Sequence, residues 1–314
     1  MLRSEKTSGF AMKIIIKRGK IVPFEELPPR SIALDGYVQG PAIDVKAHKY
    51  SFDHHAGCIR LVTKATCAQV LDALILGLDP GNMTVYLNDI DADTVLATWL
   101  LRHPSAINNP RVRNLVEDVA NVDAHGPSYF AYVRDSELCQ RFFKGAMEPE
   151  CRSRRENSYA TADLYQLLFA CLKRTDKLIF HNKRYAIPQY SRSRGCRYQI
   201  THEGTGWVMT HSPERVFGSL YRDGYSKVVS FHEIEVTGPD GNTEQSFSYT
   251  IAKQSDLIKD FNIPAILSHL NDIEPGWGGG SSIGGAPRRP NGSRSFLPPD
   301  QVFEIIECFL KNHC

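Results

Sequence analysis

The chain predicts an α/β fold: a largely parallel sheet in an N-terminal domain over residues 12–180, followed by a second, α+β domain over residues 185–314. Three observations carry that expectation. Short apolar runs alternate with stretches of helical period through the first half of the chain. Two of those runs, Tyr50-Ser51-Phe52 and Val85-Tyr86-Leu87, end in clusters of Asp and His, and the carboxyl ends of strands are where open α/β sheets present their ligands. Beyond about residue 185 the composition turns towards Tyr, Ser, Arg and Gly, and strand patterns dominate.

The elements follow in order. Residues 1–11 read as an unstructured lead, and Met12-Lys13-Ile14-Ile15-Ile16 predicts a first strand. Pro23, Pro28 and Pro29 punctuate a loop, Ser31-Ile32-Ala33-Leu34 is a second strand, and Ile43-Asp44-Val45 a third. Asp35-Gly36 after the second strand is a turn signal first, with a ligand role for Asp35 as the alternative. The strand Tyr50-Ser51-Phe52 then delivers Asp53-His54-His55. Thr66 can cap a helix whose Val70, Leu71, Leu74 and Ile75 share one face, with Gly77 closing it. After the strand at 84–87 comes Asn88-Asp89-Ile90-Asp91-Ala92-Asp93, then helical spacing of Val95, Leu96, Trp99, Leu100 and Leu101. Asp93 near that helix start is favoured by the helix dipole with or without a metal.

Residues 111–123 predict a helical turn or two before Asp123-Ala124-His125-Gly126, a further strand end or loop carrying ligand-type side chains. The span 129–178 is helical in pattern, with Arg152-Ser153-Arg154-Arg155 as a solvated loop and Asp163 as the cap-region acid of an apolar helix. In the second domain, the strands at 228–236 and 246–251 flank Pro239-Asp240-Gly241-Asn242, a hairpin signal. The glycine-rich stretch from Gly276 to Arg289 has two readings. Its backbone N–H groups, Gly279 and Gly280 among them, with the adjacent Arg288 and Arg289, would suit a phosphate pocket. The other reading is a flexible loop.

Bulk properties exclude several classes. Net charge is +2 in 314 residues, so no overall field argues for duplex nucleic acid or an anionic membrane. No window reaches the apolar length of a membrane span or a signal segment, and the expectation is a cytoplasmic protein with no membrane partner. The eight cysteines form no Cys-x-x-Cys pair, which argues against a zinc knuckle and for free thiols in a reducing compartment.

An Asp-His-His triplet alone is weak evidence for a metal, because a His near a strand end is more often satisfied by local hydrogen bonds. Three strand ends rich in Asp and His are what a pair of hard divalent cations needs, with imidazole biasing the choice towards Mn²⁺ over Mg²⁺. These three pieces also resemble the DHH phosphoesterase superfamily. Asp53-His54-His55 matches the motif that names it. Asn88 to Asp93, followed by Leu96-Ala97, looks like the family's acidic first motif, and Val122-Asp123-Ala124-His125-Gly126 looks like its second. The likeness covers roughly residues 30–130, and the order is permuted: relatives place Asp-His-His last, this chain places it first.

The resemblance implies two Mn²⁺ or Mg²⁺ ions about 3.5–4 Å apart that activate a water for in-line phosphoryl displacement. It implies metal ligation by His54, Asp89, Asp91, Asp93, Asp123 and His125, with Asp123 bridging. His55 would face the substrate phosphate and Asp53 would orient His54 from outside the metal shell. A further family Asp has only Asp163 or Asp35 to fill it. The expected substrate is a small phosphorylated or nucleotide compound, held in the second domain by Gly279, Gly280, Arg288 and Arg289. Rival expectations are a short-oligonucleotide exonuclease and a non-catalytic metal- or nucleotide-binding regulator that keeps the fold. A homodimer is compatible with all three.

Overall fold

The computed structural model describes residues 12–55, 57–59, 61–126, 136–156, 158–185, 198–213, 216–237, 243–289 and 291–313. The expected lead at 1–11 and the expected turn at 239–242 lie outside the described residues. The chain is mixed α/β with two mixed sheets, and it divides into two compact units, Met1–Pro188 and Gln189–Cys314.

The first unit is organised by a five-stranded sheet of β1 (Lys13–Ile16), β2 (Ser31–Leu34), β3 (Ala42–Asp44), β4 (Lys49–Phe52) and β5 (Thr84–Leu87), in the spatial order β1-β5-β2-β4-β3. Four strands are parallel, and the edge strand β3 runs antiparallel to β4. Parallel pairing puts the carboxyl ends of β2, β4 and β5 on one edge. Leu34 is opposite Phe52 and Ala33 opposite Tyr86, so the residues that follow, Asp35, Asp53-His54 and the Asn88–Asp93 loop, leave the sheet side by side.

Alternation along β2 sends Ile32 and Leu34 to one face, where they join Phe52, Val85 and Leu87 in the main core. Helices α1 (Thr66–Ile75), α2 (Ala92–Arg102) and α3 (Pro110–His125), with the helix Leu164–Ile179, close that core. On the opposite face Ala33 meets Val22, Leu27, Tyr37 and Val38, a small second cluster drawn from the loops around β2. Every residue of α2 from Asp93 to Leu101 is buried, because α2 packs against α1, α3 and the helix Leu164–Ile179 at once.

Two expectations about elements change. Asp123 and His125 lie in the last turn of a single 16-residue helix rather than at a strand end. Val112, Leu115, Val116 and Val119 keep the helical period, and Gly126, at φ 79°, ends it. The basic run 152–155 is no solvated loop. It forms the end of the helix Glu148–Arg155, where Arg154 pairs with Glu150 one turn earlier and with Asp89.

The second unit holds a six-stranded sheet in the order β10-β11-β9-β8-β7-β6, with β6 (Gln199–Gly204), β7 (Trp207–His211), β8 (Lys227–Thr237), β9 (Thr243–Lys253), β10 (Gly278–Gly279) and β11 (Ile283–Gly285). Only β7 and β8 pair in parallel. One face carries Met209, Val229, Phe231, Tyr249 and Ile251 into an apolar core with the helices Ile263–Ile273 and Pro299–His313.

Glu307 of the last helix fastens that core to the β6–β7 turn. Its carboxylate accepts from Thr205 N–H (3.0 Å), the Thr205 hydroxyl (2.6 Å) and Trp207 Nε1 (2.8 Å), with Lys311 Nζ at 3.2 Å. Burial raises its pKa, but the Thr205 and Trp207 donors and Lys311 outweigh burial and hold it at about 2, below the ordinary 4.5. A depressed carboxylate contributes stability that is present above the unfolded-state pKa and is lost as pH falls through the folded one. Glu307→Gln is therefore expected to cost on the order of 3 kcal/mol at pH 7. Denaturant titrations of both proteins should show the gap narrowing between pH 4.5 and pH 2, and a gap independent of pH would refute this account.

Candidate metal centre

The site is built where β2, β4 and the loop after β5 reach the sheet edge beneath the end of α3. Asp35 follows β2 in the left-handed region, φ 51°, with Gly36 at 83°, so the turn reading of Asp-Gly is correct locally. The turn also aims the carboxylate inward, where Asp35 accepts from the Thr66 hydroxyl (3.0 Å) and the Thr94 hydroxyl (3.1 Å). Non-glycine backbone held at positive φ is uncommon and clusters at functional sites.

Asp93 is fully buried, and its two oxygens accept from Thr66 N–H and Cys67 N–H, each at 2.7 Å. It thereby satisfies the first free amides of α1 from a different element. Asp91 caps α2 by accepting from Thr94 N–H at 2.8 Å. Asp123 projects from α3 with about a quarter of its side chain exposed.

His54 sits at the centre with its side chain fully buried. Its Nε2 lies 2.8 Å from Asp123 Oδ2, 3.5 Å from Asp35 Oδ1 and 3.6 Å from Asp93 Oδ2. None of these approaches has hydrogen-bond alignment, and both ring nitrogens are buried without a hydrogen-bond partner. Two groups of ligand atoms, each within 4.8 Å, share this ring: Asp35-His54-His55 and His54-Asp93-Asp123. Ligand atoms gathered this closely around one imidazole fall within the span of a single cation's coordination sphere. The donor set, carboxylates with imidazole, suits Mn²⁺ or Mg²⁺.

The electrostatics agree. No lysine or arginine among the described residues pairs with Asp35, Asp53, Asp91 or Asp93. Burial, then the charges of Asp35 and Asp123, push Asp93 up to about 7. Burial and the Asp35, Asp123 and Asp93 charges push Asp91 well above the usual carboxylate range. Burial lowers His54, but the Asp123 and Asp35 contacts outweigh it and hold the ring near 10. Asp35 itself is lowered, since His54, His55 and the Thr66 hydroxyl overcome its burial. A buried excess of negative charge is costly unless protons or metal ions neutralise it.

Asp53 does not orient His54. Its Oδ1 accepts from His55 N–H at 3.1 Å and lies 3.0 Å from His55 Nδ1, while its Oδ2 accepts from Gly40 N–H at 2.8 Å. The ring it holds is thus His55, which is 45% exposed and whose pKa is raised mainly by that Asp53 bond.

Other expected site residues belong to neither converging group. Asp89 is exposed and points to the outer side of its loop, taking the Tyr159 hydroxyl and Arg154. His125 ends α3 and belongs to neither converging group. Asp163 caps the helix Leu164–Ile179 by accepting from Tyr165 N–H and Gln166 N–H. Asp35, Thr66 and Thr94 were the residues the sequence undervalued. The signal was the shared pattern of an apolar strand ending in Asp, which Asp35 and Asp53 both show.

In the second unit, Gly279 and Gly280 belong to a tight hairpin rather than a loose loop: Gly279 pairs with Gly284, and Gly280 N–H donates to Ile283 O at 2.7 Å. A Cβ on Gly279 would collide with the Gly284 backbone, so close strand approach explains that glycine. Arg289 is already engaged, donating to Glu274 Oε1 (2.9 Å) and Arg294 O (2.6 Å) over the Phe296 ring. Arg288 is exposed.

Compared with protein-family models, curated proteins and solved structures, the chain matches none. The geometry of the centre therefore stands on its own residues.

One strut outside the centre sets the loop that carries Asp91. The Tyr159 hydroxyl donates to Asp89 and accepts from Ile90 N–H at 3.1 Å, and Arg154, stacked on the Tyr159 ring, donates to Ile90 O at 3.1 Å. Tyr159→Phe is expected to leave the fold intact and weaken Mn²⁺ binding by about tenfold, the lower end of what outer-shell partners contribute. Calorimetric titration checks this, and unchanged affinity would show that the loop holds its position without Tyr159.

Proposed function

We propose that the protein is a metal-dependent phosphohydrolase of the DHH type, acting in the cytoplasm on a small phosphorylated or nucleotide substrate. One observation carries the reading: two overlapping groups of ligand atoms, Asp35-His54-His55 and His54-Asp93-Asp123, share the buried ring of His54, whose nitrogens have no aligned hydrogen-bond partner. The six described free cysteines fit a reducing compartment.

Asp35, Asp93, Asp123 and His54 would hold the ions, with Asp91 adding charge behind them. When bound, a divalent pair would supply an activated water and neutralise the attacking and leaving oxygens of a phosphoryl transfer. His55 has its Nδ1 committed to Asp53, which leaves Nε2 as the ring's other polar atom, free to donate to a phosphoryl oxygen. Thr66 and Thr94 fix the Asp35 carboxylate. Such preorganised groups do not have to reorient as charge develops.

The test is elemental analysis of purified protein followed by a panel of phosphomonoesters, nucleotides and short oligonucleotides assayed with Mn²⁺. About two ions per chain and Mn²⁺-dependent phosphate release are expected. Protein that takes up no Mn²⁺ even in excess would overturn the reading. Metal uptake with no turnover on any substrate would leave a binding protein in its place.

A further inference from the structure

Several cations of the second unit are held by carboxylates of the same unit. Lys227 pairs with Asp260, Arg289 with Glu274 and Lys311 with Glu307. Arg288 and Arg294 have no carboxylate partner among the described residues. They are brought together by a turn in which Arg289 N–H donates to Ser293 O (3.1 Å) and Gly292 N–H to Arg289 O (3.0 Å), so the two arginines flank its stem. Arg294 N–H donates to Ser246 Oγ at 3.2 Å, and the next residue, Ser295, pairs with Phe247, which seats the stem beside β9.

That stem adjoins an unusual sheet face. Alternation places Ser230, His232 and Ile234 of β8 with Ser246, Ser248 and Thr250 of β9 on the side opposite the apolar core, with His232 directly across from Ser248. Thr210 of β7 lies beside Ser230 on this side, and its hydroxyl is buried without a partner. One end of this face, at Val208, Val228 and Ala252, packs under the helix Phe217–Arg222, and the rest of it is lined largely by hydroxyls. Burial lowers the pKa of half-buried Arg294 and the Arg288 charge lowers it further; burial, His211 and Arg294 likewise lower His232 against the pull of Glu233. Arg288 and Arg294 are thus two cations close together, with the neutral ring of His232 beside them.

We propose that Arg288, Arg294 and His232, on the hydroxyl-lined face of the six-stranded sheet, form a binding site for a phosphate group. Two guanidinium forks can each give paired N–H donors to phosphate oxygens. Ser248 and Thr250 supply neutral hydroxyl donors beside them. The assignment concerns the second unit alone and stands whether or not the first unit binds metal.

The test is calorimetric titration of the full chain with inorganic phosphate in EDTA at low ionic strength, which removes any metal-held phosphate, repeated with AMP and with adenosine. Saturable binding of phosphate is expected. Arg288→Ala and Arg294→Gln should each weaken it about tenfold, while Lys227→Ala, a cation already paired, leaves it unchanged. The His232 ring signals should shift on phosphate addition. AMP binding with adenosine inert indicates a nucleotide phosphate as the occupant, and phosphate binding with AMP excluded indicates the free anion; either supports the site. No saturable phosphate binding by the wild type overturns it. So do unchanged affinity in the folded double variant Arg288→Ala/Arg294→Gln, and unmoved His232 signals.

Discussion

Asp123→Asn is expected to abolish Mn²⁺ binding and turnover together, while His55→Ala keeps the metal and loses only turnover. The two side chains lie in the same site but do different work. Asp123 brings a charged oxygen to within 2.8 Å of His54 Nε2, in the same group of ligand atoms as Asp93. An amide keeps its shape and removes its charge, so affinity should fall beyond the roughly 10–100-fold that follows loss of an outer hydrogen-bond partner. His55 is half-exposed and anchored by Asp53, and its loss should cost about 10²–10³ in kcat, the range for removing one donor to developing charge. Mn²⁺ titration and steady-state kinetics on both variants check this. If Asp123→Asn retains full metal occupancy and activity, Asp123 is not a ligand and the permuted likeness to the DHH family fails with it.

Mn²⁺ itself should raise the melting temperature markedly. Asp35, Asp93 and Asp123 gather at His54, with Asp91 near enough to feel all three, and crowded like charges oppose folding. Binding confined to the folded state adds about 2.7 kcal/mol at a free concentration of a hundred times Kd. For a unit of this size that corresponds to about 5–10 °C. Scanning calorimetry with Mn²⁺ against EDTA measures it. A shift that persists undiminished in Asp93→Asn would place the ion elsewhere in the molecule.

Much of this was legible in the chain because strand ends are local. An apolar run that ends in Asp-His-His or Asp-x-Asp announces both the strand and the chemistry at its tip, and parallel pairing then aligns the tips. Asp123 is harder: the pattern predicts a helix that stops near 123, whereas it continues to His125. Asp123 therefore sits four residues after buried Val119 and shares its inward face. Asp89 could not be sorted from Asp91 and Asp93 by spacing, since what turns it outward is Tyr159, seventy residues away. Arg289 looked like half of a clamp, and only the folded chain shows Glu274 already holding it. The domain-scale reading of an α/β unit followed by a strand-rich one rested on periodicity and composition, which are insensitive to such distant partners.

The way Asp93 closes the start of α1 limits what kind of nucleotide site this edge can be. In many α/β proteins the amino end of the first helix beyond the sheet is left open, and its bare amides and partial positive charge cradle a pyrophosphate. Here those amides, Thr66 and Cys67, are taken by a buried carboxylate of the same chain. A dinucleotide docked in the Rossmann manner would meet an acid where it needs a cradle. Any anion that enters this edge must be received through cations, by bound metal ions or by the His55 ring.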